Sequence, residues 1–377
     1  MIKATTETAQ LALGTILQKP ATGIPTFWLN IMQHSAIDRI AGRELGSYVR
    51  DPEGTYNAMQ RAIGVCLLDQ YIPDNPATMV DFGYDGREKK AAEGAERIEV
   101  DGVLIDSPEA VVEHLERCVF PDIRRQIAAF DADRRVAEII AREREIQEKL
   151  GPGILKSGYE FIDFPTWPYS AYGYTNYFMA WALYRDVIER HFSLQADLAV
   201  LNNRAAARAY VEGELPPLFR LDFDIADSRG TLSSLKSIDR IWMPHFVRSL
   251  EPMTKTDVRM IWHCDGNLMA MVPRLLDAGI RGFQGFQYED GMDYARICAM
   301  KTRDGDSLVI VGGVSVTRTL PFGTPDAVRR EMAWLVENGP KTGLFLGASS
   351  SVAPGTPWEN IEALIEGLRY YRVHGRN

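Results

Sequence analysis

Apolar segments that end in short polar loops recur along this chain, separated by stretches with helical spacing. Five of them predict strands at residues 218–224, 258–263, 282–286, 307–312 and 342–346, and each precedes an amphipathic helix. Two more apolar segments, residues 24–31 and 76–81, predict strands near the N-terminus. Repeated strand-helix units indicate an α/β fold, a parallel sheet with helices outside it. The count predicts a single (β/α)8 TIM barrel with one irregular strand near residues 159–164.

The pattern changes between residues 86 and 150, which we interpret as an insertion into the barrel. Residues 97–105 alternate on either side of Asp101-Gly102, which predicts a β-hairpin. Residues 121–150 are densely charged at helical spacing and predict a solvated outer helix. A leading helix over residues 5–19 forms an N-terminal helical extension. Because no linker rich in Gly, Pro or Ser interrupts the chain, we predict one domain over residues 1–377.

Composition narrows the class of protein and its partners. The 377 residues are 46% hydrophobic and 25% charged, as in ordinary globular proteins, and the net charge is −9. An acidic chain without a basic patch is not expected to bind nucleic acid. Without a signal-type N-terminus, and without an apolar run near the roughly 20 residues that span a bilayer, a cytoplasmic protein with no membrane contact is expected. The four cysteines show no C-x-x-C spacing, which excludes a disulfide framework.

Residues 159–178 form the most aromatic part of the chain and are interrupted by two prolines and a glycine. These breaks place part of the segment in loops. Loop aromatics such as Tyr172 can floor a pocket for a flat ligand, and they can equally form a satellite core beneath a long connection. The pattern leaves both interpretations open.

Polar side chains cluster where the predicted strands end, which in a parallel barrel is one shared face. The segment His263-Cys264-Asp265 directly follows a buried strand and offers a proton shuttle with metal-ligating side chains. Asp222 and Asp224 lie two apart on one predicted strand, so either could orient His263 or act as an acid or base, or cap the next helix. The remaining candidates at strand ends are Asn30, His34, Asp81, Tyr84, Asn267, Gln284, Gln287 and Ser349.

Four stretches in the C-terminal half match a known pattern: Ile-Trp-His-Cys-Asp-Gly-Asn at 261–267, Gly-Phe-Gln-Gly-Phe-Gln at 282–287, Val-Gly-Gly-Val at 311–314 and Ala-Pro-Gly-Thr-Pro-Trp-Glu-Asn-Ile at 353–361. Together they resemble the uroporphyrinogen decarboxylase superfamily, whose (β/α)8 barrels include cobalamin-dependent methyltransferases. The last stretch is similar to the family's P-x-T-P-x-E-N-V/I signature. The resemblance covers residues 218–371 and is loose before them.

Two departures separate this chain from the decarboxylases. Their R-Q-A-G-R motif, which grips porphyrinogen carboxylates, is replaced by an arginine-free stretch at residues 28–34. Their Gly-His-Gly segment is replaced by Ser349-Ser350-Ser351. The resemblance therefore implies that an acidic tetrapyrrole is not the substrate.

The methyltransferase branch resembles the chain more closely. Its thiol-methylating members bind zinc through His-x-Cys and a later Cys; here His263 matches the histidine, Asp265 stands at the first cysteine, and residues 349–351 cover the second. Cys264 is displaced by one position. The resemblance implies a harder metal site at His263 and Asp265, with Zn²⁺ possible but a third ligand unidentified. Such a site suits cleavage of a methyl ether, whose departing oxygen must be stabilised.

These features together predict a methyltransferase or demethylase that transfers a methyl group from an O- or N-methyl small molecule, a methoxylated aromatic being favoured, to cobalamin on a corrinoid protein. A homodimer is a possible assembly. The catalytic residues are predicted to be His263, Asp265 and Asp224, and the substrate-binding residues Asp81, Tyr84, Tyr172, Asn267, Gln284, Gln287 and Ser349.

Two other classes of protein stay open. A decarboxylase acting on a small acid would use His263 and Asp224 without a metal. A non-catalytic barrel would bind a corrinoid or another ligand without turnover.

Overall fold

Short parallel strands form the centre of the computed structural model, which describes residues 4–78 and 98–376. In chain order the strands are β1 (Leu67–Leu68), β2 (Glu99–Val100), β3 (Val103–Leu104), β4 (Leu155–Lys156), β5 (Gly158–Tyr159), β6 (Leu218–Asp222), β7 (Ala226–Asp227), β8 (Gly230–Thr231), β9 (Arg259–His263), β10 (Gly282–Gln284), β11 (Val309–Val314) and β12 (Leu344–Ala348). The main sheet has the order β12-β11-β10-β9-β6-β5, with every neighbouring pair parallel.

Isolated parallel bridges close this sheet into a barrel. Thr26 pairs with Leu346 of β12, and Phe27 pairs with Leu67 of β1. Strand β1 pairs with β4, which continues after one residue into β5. The described residues thus supply eight parallel segments around one ring, which confirms the predicted (β/α)8 fold. The irregular strand expected near residues 159–164 is formed by β4 and β5, a few residues earlier.

Helices surround the ring, and the strands are buried on both faces, which explains why their sequences are continuous apolar runs. No helix within residues 4–78 and 98–376 is long and apolar enough to cross a membrane. The helices are Glu7–Ile16, His34–Ile40, Ser47–Arg50, Pro52–Ile63, Pro108–His114, Phe120–Ala128, Ala132–Leu150, Tyr169–Tyr172, Tyr174–Leu183, Arg185–Glu212, Leu235–Ile241, Met243–Thr254, Val272–Asp277, Tyr294–Ala299, Thr319–Phe322, Pro325–Asn338 and Trp358–His374.

The second strand of the barrel lies earlier than the sequence pattern predicted. Of the strand predicted at residues 76–81, residues 76–78 lie in a 3₁₀ turn and residues 79–81 lie outside the described residues. The strand that pairs in the ring is β1, which follows the helix Pro52–Ile63. Gly64 ends that helix with a left-handed φ of 88°, and the following residues up to Leu68 are buried. A short buried run has no periodicity that distinguishes strand from helix, which explains the error.

The predicted hairpin is present within the insertion, and the predicted long helix is divided in two. Strands β2 and β3 pair antiparallel across Asp101 and Gly102, whose φ angles of 50° and 77° are those of a type I′ turn. The charged stretch breaks after residue 128, and Asp131 caps the second helix by accepting a hydrogen bond from the backbone N–H of Arg134.

The aromatic segment packs mainly against itself and the neighbouring helices. Trp167 is 1% exposed and makes edge-on contacts with Trp181 and Trp242. Tyr177 is fully buried and stacks in parallel on Tyr172. Most of the aromatic rings in this segment therefore form a satellite core.

His191, in the long helix Arg185–Glu212, predicts an acid-sensitive step in stability. Burial lowers its pKa to about 4, and its Nε2 accepts a hydrogen bond from Gln195. In the unfolded chain the histidine pKa is about 6.5, so His191 takes up a proton below that pH. In the folded protein the same side chain stays neutral down to about pH 4. The contribution of neutral His191 to the free energy of unfolding should be fully present above about pH 6.5. The free energy of unfolding should then fall by roughly 3 kcal/mol as the pH decreases towards 4.

Chemical denaturation at pH 7 and pH 4.5 checks this prediction. A His191→Gln variant should lose less stability than the unsubstituted protein over this interval. A His374→Gln variant, altered at an exposed position, serves as the control and should not change the difference. An unchanged pH dependence in His191→Gln would contradict the prediction.

Candidate active site

Three polar side chains stand at one level at the ends of adjacent barrel strands. Asp222 ends β6, His263 ends β9 and Gln284 ends β10, and His263 is in register with both of its neighbours. Residues in register on parallel strands point to the same side of a sheet. His263 Nε2 lies 4.0 Å from Asp222 Oδ1.

A buried arginine lies one layer deeper in the barrel. Arg220 is in register with Tyr159 of β5, and the guanidinium lies over the Tyr159 ring, 4.7 Å from its centroid. Its Nε donates to Asp69 at 2.6 Å, one terminal nitrogen donates to Asp222 Oδ2 at 2.5 Å, and the other donates to Gln70 at 3.0 Å. Tyr159 also donates its hydroxyl proton to Asp222 Oδ2, at 2.9 Å.

Asp69 anchors this arginine from the end of β1 and is 1% exposed. Its Oδ1 accepts hydrogen bonds from Trp28 Nε1 at 2.7 Å and from the backbone N–H of Gln70 at 2.6 Å, while Oδ2 accepts from Arg220. A buried charge pair is tolerated when its remaining hydrogen-bonding positions are filled, as they are here. The network therefore fixes Asp222 from below.

The two carboxyl groups that face His263 have pKa values shifted in opposite directions. Burial acts to raise the pKa of Asp222, but the positive charges of His263 and Arg220 and the hydrogen bonds from Tyr159 and Arg220 outweigh it, so that pKa is lowered. Burial raises the pKa of Asp265, and the negative charges of Asp224 and Asp222 add to the rise. Asp222 is thus the carboxyl group that ionises more readily, and Asp265 is the one that takes a proton more readily.

A glycine makes room for the imidazole of His263. Gly285 has a φ of 81°, and a Cβ atom there would lie 2.3 Å from His263 Nδ1. His263 is 8% exposed, and its Nδ1 has no hydrogen-bond partner among the described residues. The ring is therefore positioned by packing, with Nε2 directed towards Asp222 and Asp265.

A polar cavity of about 130 Å³ opens over this layer. Two aromatic rings, three amides, two serines and the charged network surround it. Its lining residues are Phe27, Trp28, Asn30, Gln70, Arg220, Asp222, His263, Gln284, Ala348, Ser350 and Ser351. The volume suits a small molecule, and the lining offers more hydrogen-bond acceptors than positive charges.

The structure brings some predicted site residues together and separates others. His263 and Gln284 line the cavity, and Asp265 Oδ1 lies 4.0 Å from His263 Nε2. Asp224 lies beyond the end of β6, is exposed, and accepts a hydrogen bond from the backbone N–H of Asp265 at 2.8 Å. The period-two argument that paired it with Asp222 fails because the strand ends at Asp222.

The other predicted substrate-binding residues hold loops or lie elsewhere. Gln287 accepts a hydrogen bond from the backbone N–H of Gly266, the side chain of Asn267 accepts one from Met269, and Ser349 Oγ accepts one from Val316. Tyr172 is 3% exposed and hydrogen-bonds to His114.

One further candidate lies away from this cavity, and two fall outside the residues that the structure describes. His34 hydrogen-bonds to the carbonyl of Pro76 in a separate surface cavity. Asp81 and Tyr84 lie outside the described residues.

The resemblance implied a metal at His263 and Asp265, with zinc as one possibility and a third ligand unidentified, and the chemistry of the side chains bears on how well they fit it. No group of three His, Cys, Asp or Glu side chains able to hold a metal occurs in the part of the chain that the structure describes. Cys264 is buried, and its Sγ contacts the backbone of Ile225 and of Asp265. Zinc-ligating histidines usually donate their second N–H to an acceptor, which Nδ1 of His263 lacks among these residues. The described side chains do not fit a zinc site, and no step below uses one.

Sequence reasoning missed the network beneath the cavity. Asp69 and Gln70 follow a strand too short to show a pattern, and Tyr159 was counted with the aromatic segment. Arg220 lies within a predicted strand, where a charged residue between apolar neighbours was the signal that could have identified it.

Comparisons with known proteins match the C-terminal part of the chain by sequence and nearly all of the chain by fold. Residues 223–371 match the family model described as uroporphyrinogen decarboxylase (URO-D). The C-terminal part of this chain is thus similar to the uroporphyrinogen decarboxylase family. The resemblance predicted from the sequence is thereby confirmed, and the superfamily match includes His263, Asp265 and Gln284. Asp69, Tyr159, Arg220 and Asp222 lie before it.

Solved structures extend the likeness of fold to the whole chain. A methyltransferase from Methanosarcina mazei is 17% identical, with a TM-score of 0.57, covering 97% of this chain and 98% of its own. A Listeria monocytogenes protein assigned as a vitamin-B12-independent methionine synthase is 12% identical, with a TM-score of 0.44, covering 93% and 96%. The first likeness establishes the fold. No curated protein matches the sequence.

The buried arginine should be essential to stability. An Arg220→Leu variant leaves Asp69 buried without its charge partner, so we expect a loss of about 3–5 kcal/mol. Arg274→Leu is the matched control: Arg274 makes a two-nitrogen contact with Asp239 at the surface and should cost about 0–1 kcal/mol. Urea unfolding of both variants measures the difference, and equal losses would contradict this account.

Gly285 should be needed both for backbone conformation and for space. Gly285→Ala should lose more stability than the roughly 1–2 kcal/mol that a left-handed conformation costs an alanine, because its Cβ also displaces His263. Gly305→Ala, with a φ of 87° and nothing within 4 Å of the added Cβ, isolates the conformational cost. Thermal unfolding compares them, and a smaller loss at Gly285 would contradict the steric argument.

Proposed function

We propose that this protein is a methyltransferase that removes a methyl group from the oxygen or nitrogen of a small molecule and passes it to a corrinoid protein. The observation that supports it most is the His263–Asp222 pair at the base of a small polar cavity, on the barrel face where this fold keeps its chemistry. The superfamily match and the methyltransferase fold are consistent with it.

The difficulty of the reaction lies in the leaving group. When the bond between the methyl carbon and the heteroatom breaks, its electron pair stays on oxygen or nitrogen, which must gain a proton or a strong hydrogen bond. His263 Nε2 faces that position, with Asp222 as a fixed negative partner and Asp265 as the carboxyl group more ready to hold a proton. The cobalt of the partner's corrinoid supplies the nucleophile that accepts the methyl group.

The charge of the cavity bears on the alternative of a decarboxylase. Arg220 is the buried cation there, and it is paired with both Asp69 and Asp222. A substrate carboxylate would meet a cation already neutralised and a nearby anion. A neutral or cationic methyl compound meets no such repulsion, which favours methyl transfer over acid decarboxylation.

Methyl transfer to cob(I)alamin from a panel of small methoxy and methylamino compounds tests the proposal. His263→Asn and Asp222→Asn should each lower kcat by about 10²–10⁴-fold, the usual contribution of a positioned acid or its partner. Asp326→Asn is the matched control and should stay within about threefold of the unsubstituted protein, since its carboxylate pairs with Arg329 at the surface. Transfer from no compound, or equal losses in Asp222→Asn and Asp326→Asn, would contradict the proposal.

A further inference from the structure

Two buried side-chain oxygens in the cavity have no hydrogen-bond partner among the described residues: Gln284 Oε1 and Asn30 Oδ1. Their residues are 7% and 6% exposed, and both line the cavity. Leaving a buried acceptor without a hydrogen bond is unfavourable, so a pair of them in one small cavity indicates a ligand that donates hydrogen bonds.

The orientation of the Gln284 amide follows from its neighbour. Its Nε2 donates to the carbonyl oxygen of Ser349 at 3.1 Å, and a carbonyl can only accept. The amide nitrogen must therefore face Ser349, which leaves Oε1 as a fixed acceptor. Ser349 is held in turn, because its backbone N–H donates to Val314 and its Oγ accepts from Val316.

The segment that follows β12 orients the side chain of Asn30. Its Nδ2 donates to Ser351 Oγ at 2.8 Å, and its backbone carbonyl accepts from the N–H of Val352. These contacts fix the side chain beside the segment that follows β12. Its Oδ1 adds a second acceptor to the one supplied by Gln284.

The charged groups of the cavity point to the same kind of ligand. Asp222 Oδ2 is occupied by Arg220 and Tyr159, while its Oδ1 faces His263. The guanidinium of Arg220 already has a partner on each of its three nitrogens. The unpartnered acceptors of Gln284 and Asn30 thus face no free guanidinium nitrogen, and they favour a ligand with O–H or N–H groups.

We propose that the methyl donor, in the proposed methyl transfer on which this inference rests, is a small compound bearing an O–H or N–H group that donates to Gln284 Oε1. Gln284 and His263 are in register on neighbouring strands, which lie about 4.8 Å apart. The donating group and the methylated heteroatom that faces His263 therefore belong to neighbouring parts of one small molecule. Gln284 is the residue that sets this specificity, and Asn30 assists it.

Matched pairs of compounds that differ in one hydroxyl group test the inference. The probes are 2-methoxyethanol with 1,2-dimethoxyethane, and 2-methoxyphenol with 1,2-dimethoxybenzene, with binding measured by calorimetry. The hydroxyl-bearing member of a pair should bind about 10–100-fold tighter, because its methylated counterpart leaves the buried acceptor unpaired. Gln284→Met should reduce that ratio to near one, and Gln284→Glu, which keeps an acceptor oxygen, should retain preference for the hydroxyl.

Gln33→Met is the control, since Gln33 lies outside the cavity and accepts from the backbone of Gly355. It should leave the ratio unchanged, and thermal unfolding checks that each variant folds. A ratio near one in the unsubstituted protein, a ratio that Gln284→Met does not change, or no binding by any of the four compounds would overturn the inference. Methyl transfer from both members of a pair alike would refute the specificity and leave the function standing, whereas selective binding without transfer would refute the function.

Discussion

The pairing of Arg220 with Asp69 and Asp222 is the constraint on which the candidate site depends. A guanidinium and two carboxylates can be buried only if nearly every hydrogen-bonding position is filled, and Trp28, Gln70 and Tyr159 complete the set. These partners come from segments that are far apart in the sequence and meet only when the ring closes. The charged network of the site therefore forms only when the barrel closes.

This network determines what the layer above it can do. Asp222 is held from below by Arg220 and Tyr159, so its free oxygen is directed at His263. The same positive charges keep Asp222 ionised, while Asp265, which faces His263 but has no contact with Arg220, takes up a proton more easily. A fixed anion, an imidazole and a protonatable carboxyl group around one small cavity form an arrangement suited to proton donation to a leaving heteroatom.

Much of the fold was predictable from the sequence because strand-helix units in the C-terminal half repeat at a regular spacing. The short strand at Leu67 was missed because a few buried residues show no periodicity. Within the site, His263 and Gln284 were predicted from their position at strand ends. Asp222 and Asp224 could not be ranked from spacing alone, because the choice depends on where β6 ends.

The contact between Asp69 and Arg220 could not be predicted for a different reason. Their pairing joins β1 to β6 across a separation of 151 residues, and the superfamily match begins after both. Neither a local pattern nor the family signature contains that contact. Burial of opposite charges becomes evident only once the barrel register is known.

A structure of the protein with a small methyl donor bound tests the central claim most directly. The account predicts that the methylated oxygen or nitrogen lies within about 3.5 Å of His263 Nε2, in the cavity above Arg220, with Asp222 still paired to the arginine. A donor bound elsewhere, such as the surface groove lined by Tyr174, Asp224 and Arg229, or oriented with its methylated atom away from His263, would contradict it.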